Sequence, residues 1–254
     1  MDKTEFIQRM STLPTESDEF IETYIKKIYE CSSIMNEGEW YNLRYQGNDI
    51  DVVKRLFLNF CRIYFPEFVI DDSNKTVINY LLHMSIYNTA KPGIIIRGNV
   101  GSGKTILVLI YIHFIQRVFH NKNTCRFYNP VNITSDYMIK GFEIFNRDNG
   151  NILVIDDMGI NTESTHYGNK VNVIENVIYT RYDQFKLNPE LQIICTTNLT
   201  YKDMTDLYGE RVMSRLNEMA EWNDGILIGD DRRKKKALKI WPQNNYLNNS
   251  LMMP

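Results

Sequence analysis

Cysteine is scarce in this chain. Cys31, Cys61, Cys125 and Cys195 lie far apart, with no C-x-x-C among them. That spacing excludes a zinc module or a disulfide framework and suits a reducing compartment. A dominant charge is lacking too: 29 Lys and Arg against 31 Asp and Glu leave a net charge of −2. The chain is no polycation, so any grip on nucleic acid has to come from a local patch. No apolar run is long enough for a bilayer; the richest, Ile106 to Ile115, is short and carries His113. The first residues, MDKTEFIQRM, hold no apolar signal core. These absences point to a soluble cytoplasmic protein without a membrane partner.

What is present is enough for one α/β core and a small extra unit: 254 residues, 43% of them hydrophobic. Residues 1–68 read as helical. FIETYIKKI places Phe20, Ile21, Tyr24, Ile25 and Ile28 on one face, and IDVVKRLFLNFCRIYF makes a second stripe that Pro66 stops. A further amphipathic helix follows the capping residues Asp71 to Ser73 and ends before Lys91-Pro92-Gly93. Beyond Gly93 the rhythm changes to short apolar strands, at Ile94–Ile96, Arg126–Tyr128, Ile152–Ile155, Gln192–Thr196 and Ile226–Ile228, alternating with helices. That alternation predicts a parallel five-stranded sheet covered on both faces. The expected division is a helical unit over 1–68, an α/β domain over 69–241, and a fraying Asn-rich tail over 242–254.

The stretch RGNVGSGKT, Arg97 to Thr105, stands between the first strand and the first helix of that domain. Gly98, Gly101 and Gly103 let the backbone curl, so that N–H groups from Asn99, Val100, Ser102 and the helix start at Ile106 point inward at an anion. Lys104 then reaches the β- and γ-phosphates, and the Thr105 hydroxyl ligates Mg²⁺. The implied ligands are ATP and Mg²⁺.

Three more segments complete a hydrolytic pattern. NILVIDDMG ends a buried strand in Asp156, placed for the Mg²⁺ shell, and Asp157, placed to polarise an attacking water. QIICTTN carries Thr197 and Asn198 at its polar end, between the other two strands, where an amide orients the water or senses the γ-phosphate. In YGERVMSRL, Arg211 and Arg215 are four apart and share a helix face. Such a pair either makes surface salt bridges or supplies an arginine finger to a neighbouring subunit.

In this order behind GNVGSGKT, the segments VIDDMGINTES, TTN and YGERVMSRL resemble the AAA+ ATPases of the DnaC/DnaI type, the replicative helicase loaders, with the IstB transposition ATPases as close cousins. The resemblance covers about residues 70 to 235. It implies an AAA+ P-loop fold without a full lid, ATP and Mg²⁺ as cofactors, and ATP-dependent self-assembly. It makes Asp156 and Asp157 the Walker B pair, Asn198 sensor 1, Arg215 the finger, and Arg211 a second interface or nucleotide-sensing arginine. In GDDRRKKK, Arg233 becomes a sensor-2-like residue. It also implies a hexameric replicative helicase as partner, gripped through residues 1–68, and single-stranded DNA as ligand. RRKKK, including Arg232 and Lys234, reads either as a solvated face or as a phosphate-backbone track. In NITSDYMIKGFEIF, a segment that lines the pore in related assemblies, Tyr137 and Lys140 are expected to stack on bases and contact phosphates. A P-loop small-molecule kinase would share the glycine loop but would not need YGERVMSRL, and a nucleotide-dependent adaptor would show negligible turnover.

Overall fold

The computed structural model describes residues 47–119, 125–146, 150–159, 163–166 and 169–227. Five parallel strands form the central sheet in the order β2–β3–β6–β1–β7. They are β1 (Gly93–Gly98), β2 (Cys125–Tyr128), β3 (Ile152–Met158), β6 (Gln192–Thr197) and β7 (Glu221–Leu227). A two-stranded antiparallel hairpin, β4 (Glu163–His166) with β5 (Asn169–Asn172), stands apart from it. The sequence reading contains no such hairpin, because ESTH and NKVN are too polar to signal strands.

Side chains alternate across the sheet and divide the core in two. On one face Ile94, Ile96, Ile152, Val154 and Ile194 meet three helices, α1 (Ile50–Tyr64), α2 (Lys75–Ser85) and α3 (Lys104–Val118). On the other, Ile95, Leu153, Ile155, Ile193 and Cys195 meet α4 (Pro130–Lys140), α5 (Val173–Leu187), α6 (Tyr201–Tyr208) and α7 (Glu210–Met219). The strands are apolar on both faces because both faces are covered. β7 is the exception: it begins at Glu221, earlier than the expected Ile226, with EWND. As the edge strand it tolerates polar residues that an inner strand would not.

Helix α1 alters the expected division. Asp49 caps it by accepting from the Asp51 and Val52 N–H groups. Its stripe of Val52, Val53, Leu56, Phe57, Phe60 and Cys61 is buried in the same cluster as the β1 and α3 side chains. Phe57 meets Phe114 of α3 edge-on at 5.1 Å between centroids, and Phe60 meets it at 5.6 Å. The boundary at residue 68 therefore passes through one hydrophobic cluster, and α1 belongs with the α/β core. Residues 1–46, with the FIETYIKKI stripe, lie outside the described residues, as does the tail.

No described helix is long and apolar enough to cross a membrane. Burial pushes the thiols of Cys61, Cys125 and Cys195 up to about 12, so they stay protonated and serve as packing.

Candidate nucleotide site

β1 feeds directly into the glycine loop, and α3 leaves it. Gly101 and Gly103 take left-handed backbone (φ 79° and 93°), which turns the chain back so that α3 starts at Lys104. Gly98 is required for a different reason. A Cβ there would lie 2.7 Å from the Leu227 Cβ and carbonyl oxygen and 2.8 Å from Ser102 Oγ. The last strand thus presses on the start of the loop, and the Asn99 N–H donates to the Leu227 carbonyl.

The loop carries the features of a phosphate cradle. α3 has no side-chain cap on its first-turn N–H groups, so these donors are left for a ligand. Ser102 Oγ is buried without a hydrogen-bond partner. Lys104 is only 8% exposed, and its Nζ donates to the carbonyls of Gly98 and Asn99 at 2.8 and 3.0 Å. Asn99 and Val100 are exposed at the tip, and Ile106 packs half-buried against the core.

Opposite the loop, the Thr105 hydroxyl lies 3.0 Å from both carboxylate oxygens of Asp156. A hydroxyl and a buried carboxylate facing each other beside a phosphate loop fit a hard cation such as Mg²⁺, which takes oxygen ligands. Burial raises the Asp156 carboxyl above the ordinary aspartate value, hydrogen bonds from Thr196 and Thr105 pull it back, and the Asp157 charge adds to the rise.

The two acids point to different surroundings because the β3–β6 register shifts between Ile155 and Met158. Asp156 is buried while Asp157, with φ at 61°, is exposed. A bulge re-aims a side chain in this way, and a non-glycine residue in left-handed backbone costs of order 1 kcal/mol or more. Thr196 supports the distortion: its Oγ1 donates to Asp156 Oδ1 at 2.7 Å and accepts from the Asp157 N–H at 2.7 Å. Thr197 adds a bond to the Met158 carbonyl at 2.6 Å. The Gly159 N–H donates to the Tyr208 hydroxyl at 3.1 Å, tying α6 to the same segment.

β6 lies between β1 and β3, so exposed Asn198 leaves the sheet between the loop and the acid pair. Gly98, Asn99, Val100, Gly101, Ser102, Gly103, Lys104, Thr105, Ile106, Asp156, Asp157 and Asn198 thus all belong to the C-terminal ends of three adjacent strands or to the loop and helix start that follow the first of them. Arg211 and Arg215 do not join them. Both are on α7, which packs on α5, and no hydrogen bond, ion pair or ring contact links either to the loop or the acids among the described residues. Arg232, Arg233 and Lys234 lie outside the described residues.

One correction concerns the segment after β2. Tyr137, on the inner side of α4, is fully buried, edge-on to Phe142 at 5.7 Å, and so has no face to offer a base. Lys140, in the last turn of α4, is exposed. Thr196 and Tyr208 are the residues that sequence reasoning missed. Thr196 reads as an ordinary strand residue until the register places it across from the bulge.

A parallel sheet with a glycine loop after its first strand, acids after the next strand but one in space, and a polar strand end between them defines a P-loop nucleotide-binding domain. The profile of the ATPase family associated with various cellular activities (AAA) matches residues 94–221, half of the chain. The chain belongs to this family; it is a nucleotide-binding ATPase. Solved structures similar to it include the DnaC helicase loader (18% identity, TM-score 0.46, covering 65% of this chain and 94% of that one). A putative primosome component from Streptococcus pyogenes serotype M3 is similar as well (20% identity, TM-score 0.48, covering 64% and 85%). So is domain III of the Thermotoga maritima replication initiation protein DnaA (18% identity, TM-score 0.43, covering 64% and 67%). No curated protein matches the chain.

Proposed function

We propose that this ATPase is a loader of the DnaC/DnaI type, which assembles with copies of itself when ATP is bound and places a hexameric replicative helicase on single-stranded DNA. Support for that type comes from the order of motifs, DDMG, TTN and YGERVMSRL behind the glycine loop. The observation that carries self-assembly is that Arg215 rests on the Tyr179 and Tyr182 rings, with no contact to its own phosphate site and no carboxylate paired to it among the described residues.

In this reading the loop N–H groups and Lys104 bind the phosphates, while Thr105 and Asp156 hold Mg²⁺. That ion, when bound, offsets phosphate charge. Asp157 and Asn198 orient and polarise the attacking water. Arg215 of one copy stabilises transition-state charge at the site of the next, and Arg211 senses the same interface. Arg232, Lys234 and Lys140 contact the DNA backbone, and Arg233 senses nucleotide. The helicase is gripped by residues 1–46, since α1 is committed to the core.

The test is a mixing experiment. Lys104→Ala subunits should not bind Mg·ATP by calorimetry; Arg215→Ala subunits should bind it normally and hydrolyse it poorly. In a GTPase an arginine of this kind is worth about 10³–10⁵ in rate, so a loss of at least tenfold is expected here. Mixing the two variants should restore part of the activity, because hybrid interfaces join an intact pocket to an intact arginine. Absence of rescue, with assembly confirmed, excludes the trans role. Capture of a hexameric helicase from the native host supports loading, and capture of a transposase overturns it in favour of an IstB-like helper.

A further inference from the structure

Arg215 is held by rings rather than by acids. Its guanidinium carbon is 4.1 Å from the centroid of the Tyr179 ring and 5.3 Å from that of Tyr182, both on α5. The nearest acid in sequence on its own helix is Glu218, three residues on, where helical neighbours of opposite charge commonly pair. Glu218 is engaged elsewhere: its Oε2 accepts from the Tyr182 hydroxyl at 2.7 Å. No ion pair or hydrogen bond takes the Arg215 guanidinium among the described residues.

An aromatic face attracts a cation without neutralising it, whereas a carboxylate cancels its charge and occupies its N–H groups. The two tyrosines therefore order the arginine and leave its charge unspent. α5 is a firm base for this. Between the two tyrosines, buried Arg181 donates to the carbonyls of Gly150, Asn151 and Gln192 at 2.6–2.8 Å, which locks the helix to the starts of β3 and β6.

We propose that Tyr179 and Tyr182 are positioning residues for Arg215: their rings hold the guanidinium, and the Tyr182 hydroxyl keeps Glu218 off it, so that the charge is reserved for a nucleotide phosphate on a second copy of this chain. This rests on the reading of Arg215 as an arginine acting in trans. In this arrangement both tyrosines act through Arg215.

The experiment uses the full chain, with hydrolysis at saturating Mg·ATP, affinity for a non-hydrolysable analogue, and Tm measured for each variant. Tyr182→Phe keeps the ring and frees Glu218, which then pairs with Arg215. The expected result is a fall in kcat of roughly three- to tenfold with analogue affinity and Tm unchanged. Adding Glu218→Gln to Tyr182→Phe should recover the rate, a reversal that a merely structural role for the hydroxyl would not produce. Tyr179→Leu should lower kcat by a similar factor, and Tyr179→Phe should recover it. Native kcat in Tyr182→Phe and Tyr179→Leu, in a background where Arg215→Ala is defective, overturns the positioning role and leaves the trans arginine standing. Native kcat in Arg215→Ala overturns the trans arginine itself. A kcat loss in Tyr182→Phe that Glu218→Gln does not reverse, or one that tracks a lowered Tm and weakened analogue binding, also overturns the proposal.

Discussion

From Gly98 to Thr105 the groups that would meet a phosphate lie within eight consecutive residues. Their arrangement is a property of local backbone: left-handed glycines, an uncapped helix start, and a lysine folded back on the carbonyls of its own loop. The arginine helix is built the other way. Arg215 owes its place to Tyr179 and Tyr182, on a helix that precedes β6, and its freedom from charge pairing to a third contact, Tyr182 to Glu218. A phosphate loop can therefore be recognised as a word in the sequence. The setting of Arg215 exists only when two helices pack in one register.

The sharpest way to break this comparison is to show that the local motif has distant supports. A chain starting near Phe68 keeps every motif residue but loses α1, which buries six apolar side chains against the core behind α3. At about 1.5–3 kcal/mol each, the loss is of order 10 kcal/mol, comparable with the whole stability of a domain. The truncated chain should aggregate or show no cooperative melt, whereas one starting near residue 47 should melt cooperatively and bind ATP. A cooperative melt of the shorter chain would place α1 outside the core.

Gly98→Ala is the next largest effect. The added methyl meets backbone and Cβ atoms of Leu227 at 2.7 Å, so either β7 or the loop must move. Nucleotide affinity should fall by at least tenfold with a Tm loss of several degrees, about what 1–3 kcal/mol of overpacking brings in a chain this size. Native affinity would mean that β7 yields freely and that the glycine is not needed for close approach.

Thr196→Val probes the non-local half of the site. It removes the donor to Asp156 and leaves the Asp157 N–H without its acceptor, a cost of about 1–3 kcal/mol. Hydrolysis should drop roughly tenfold or more with ATP binding less affected, and Thr196→Ser should retain most of the rate. Equal rates in the valine and serine variants would show that the bulge holds itself.

The smallest effect on stability concerns Asp156, whose carboxyl is raised above the ordinary aspartate value by burial. A raised native value means that the folded protein binds the proton more tightly than the unfolded chain. Between the ordinary and the raised value this site's contribution to stability is thus lost as pH rises. Asp156→Asn should remove that component of the pH dependence and give a ligand-free Tm at neutral pH no lower than the native chain's, while Mg²⁺-dependent nucleotide binding is lost. A clearly lower Tm would show that the Thr105 and Thr196 hydrogen bonds outweigh desolvation.

The sequence by itself determined the elements whose cause is local. Apolar runs of strand length, 3.6-residue stripes and the glycine loop identify the parallel sheet, its helices and the phosphate site, because each depends on neighbours a few residues away. The hairpin at Glu163–His166 and Asn169–Asn172 was invisible, since polar strands carry no periodic signal. The burial of Tyr137, the membership of α1 in the core, the Thr196 clamp on the acid pair and the tyrosine cradle of Arg215 were decided only in the tertiary structure. Each depends on which face a helix turns inward or on how two strands are registered, and those are settled by contacts between residues tens of positions apart.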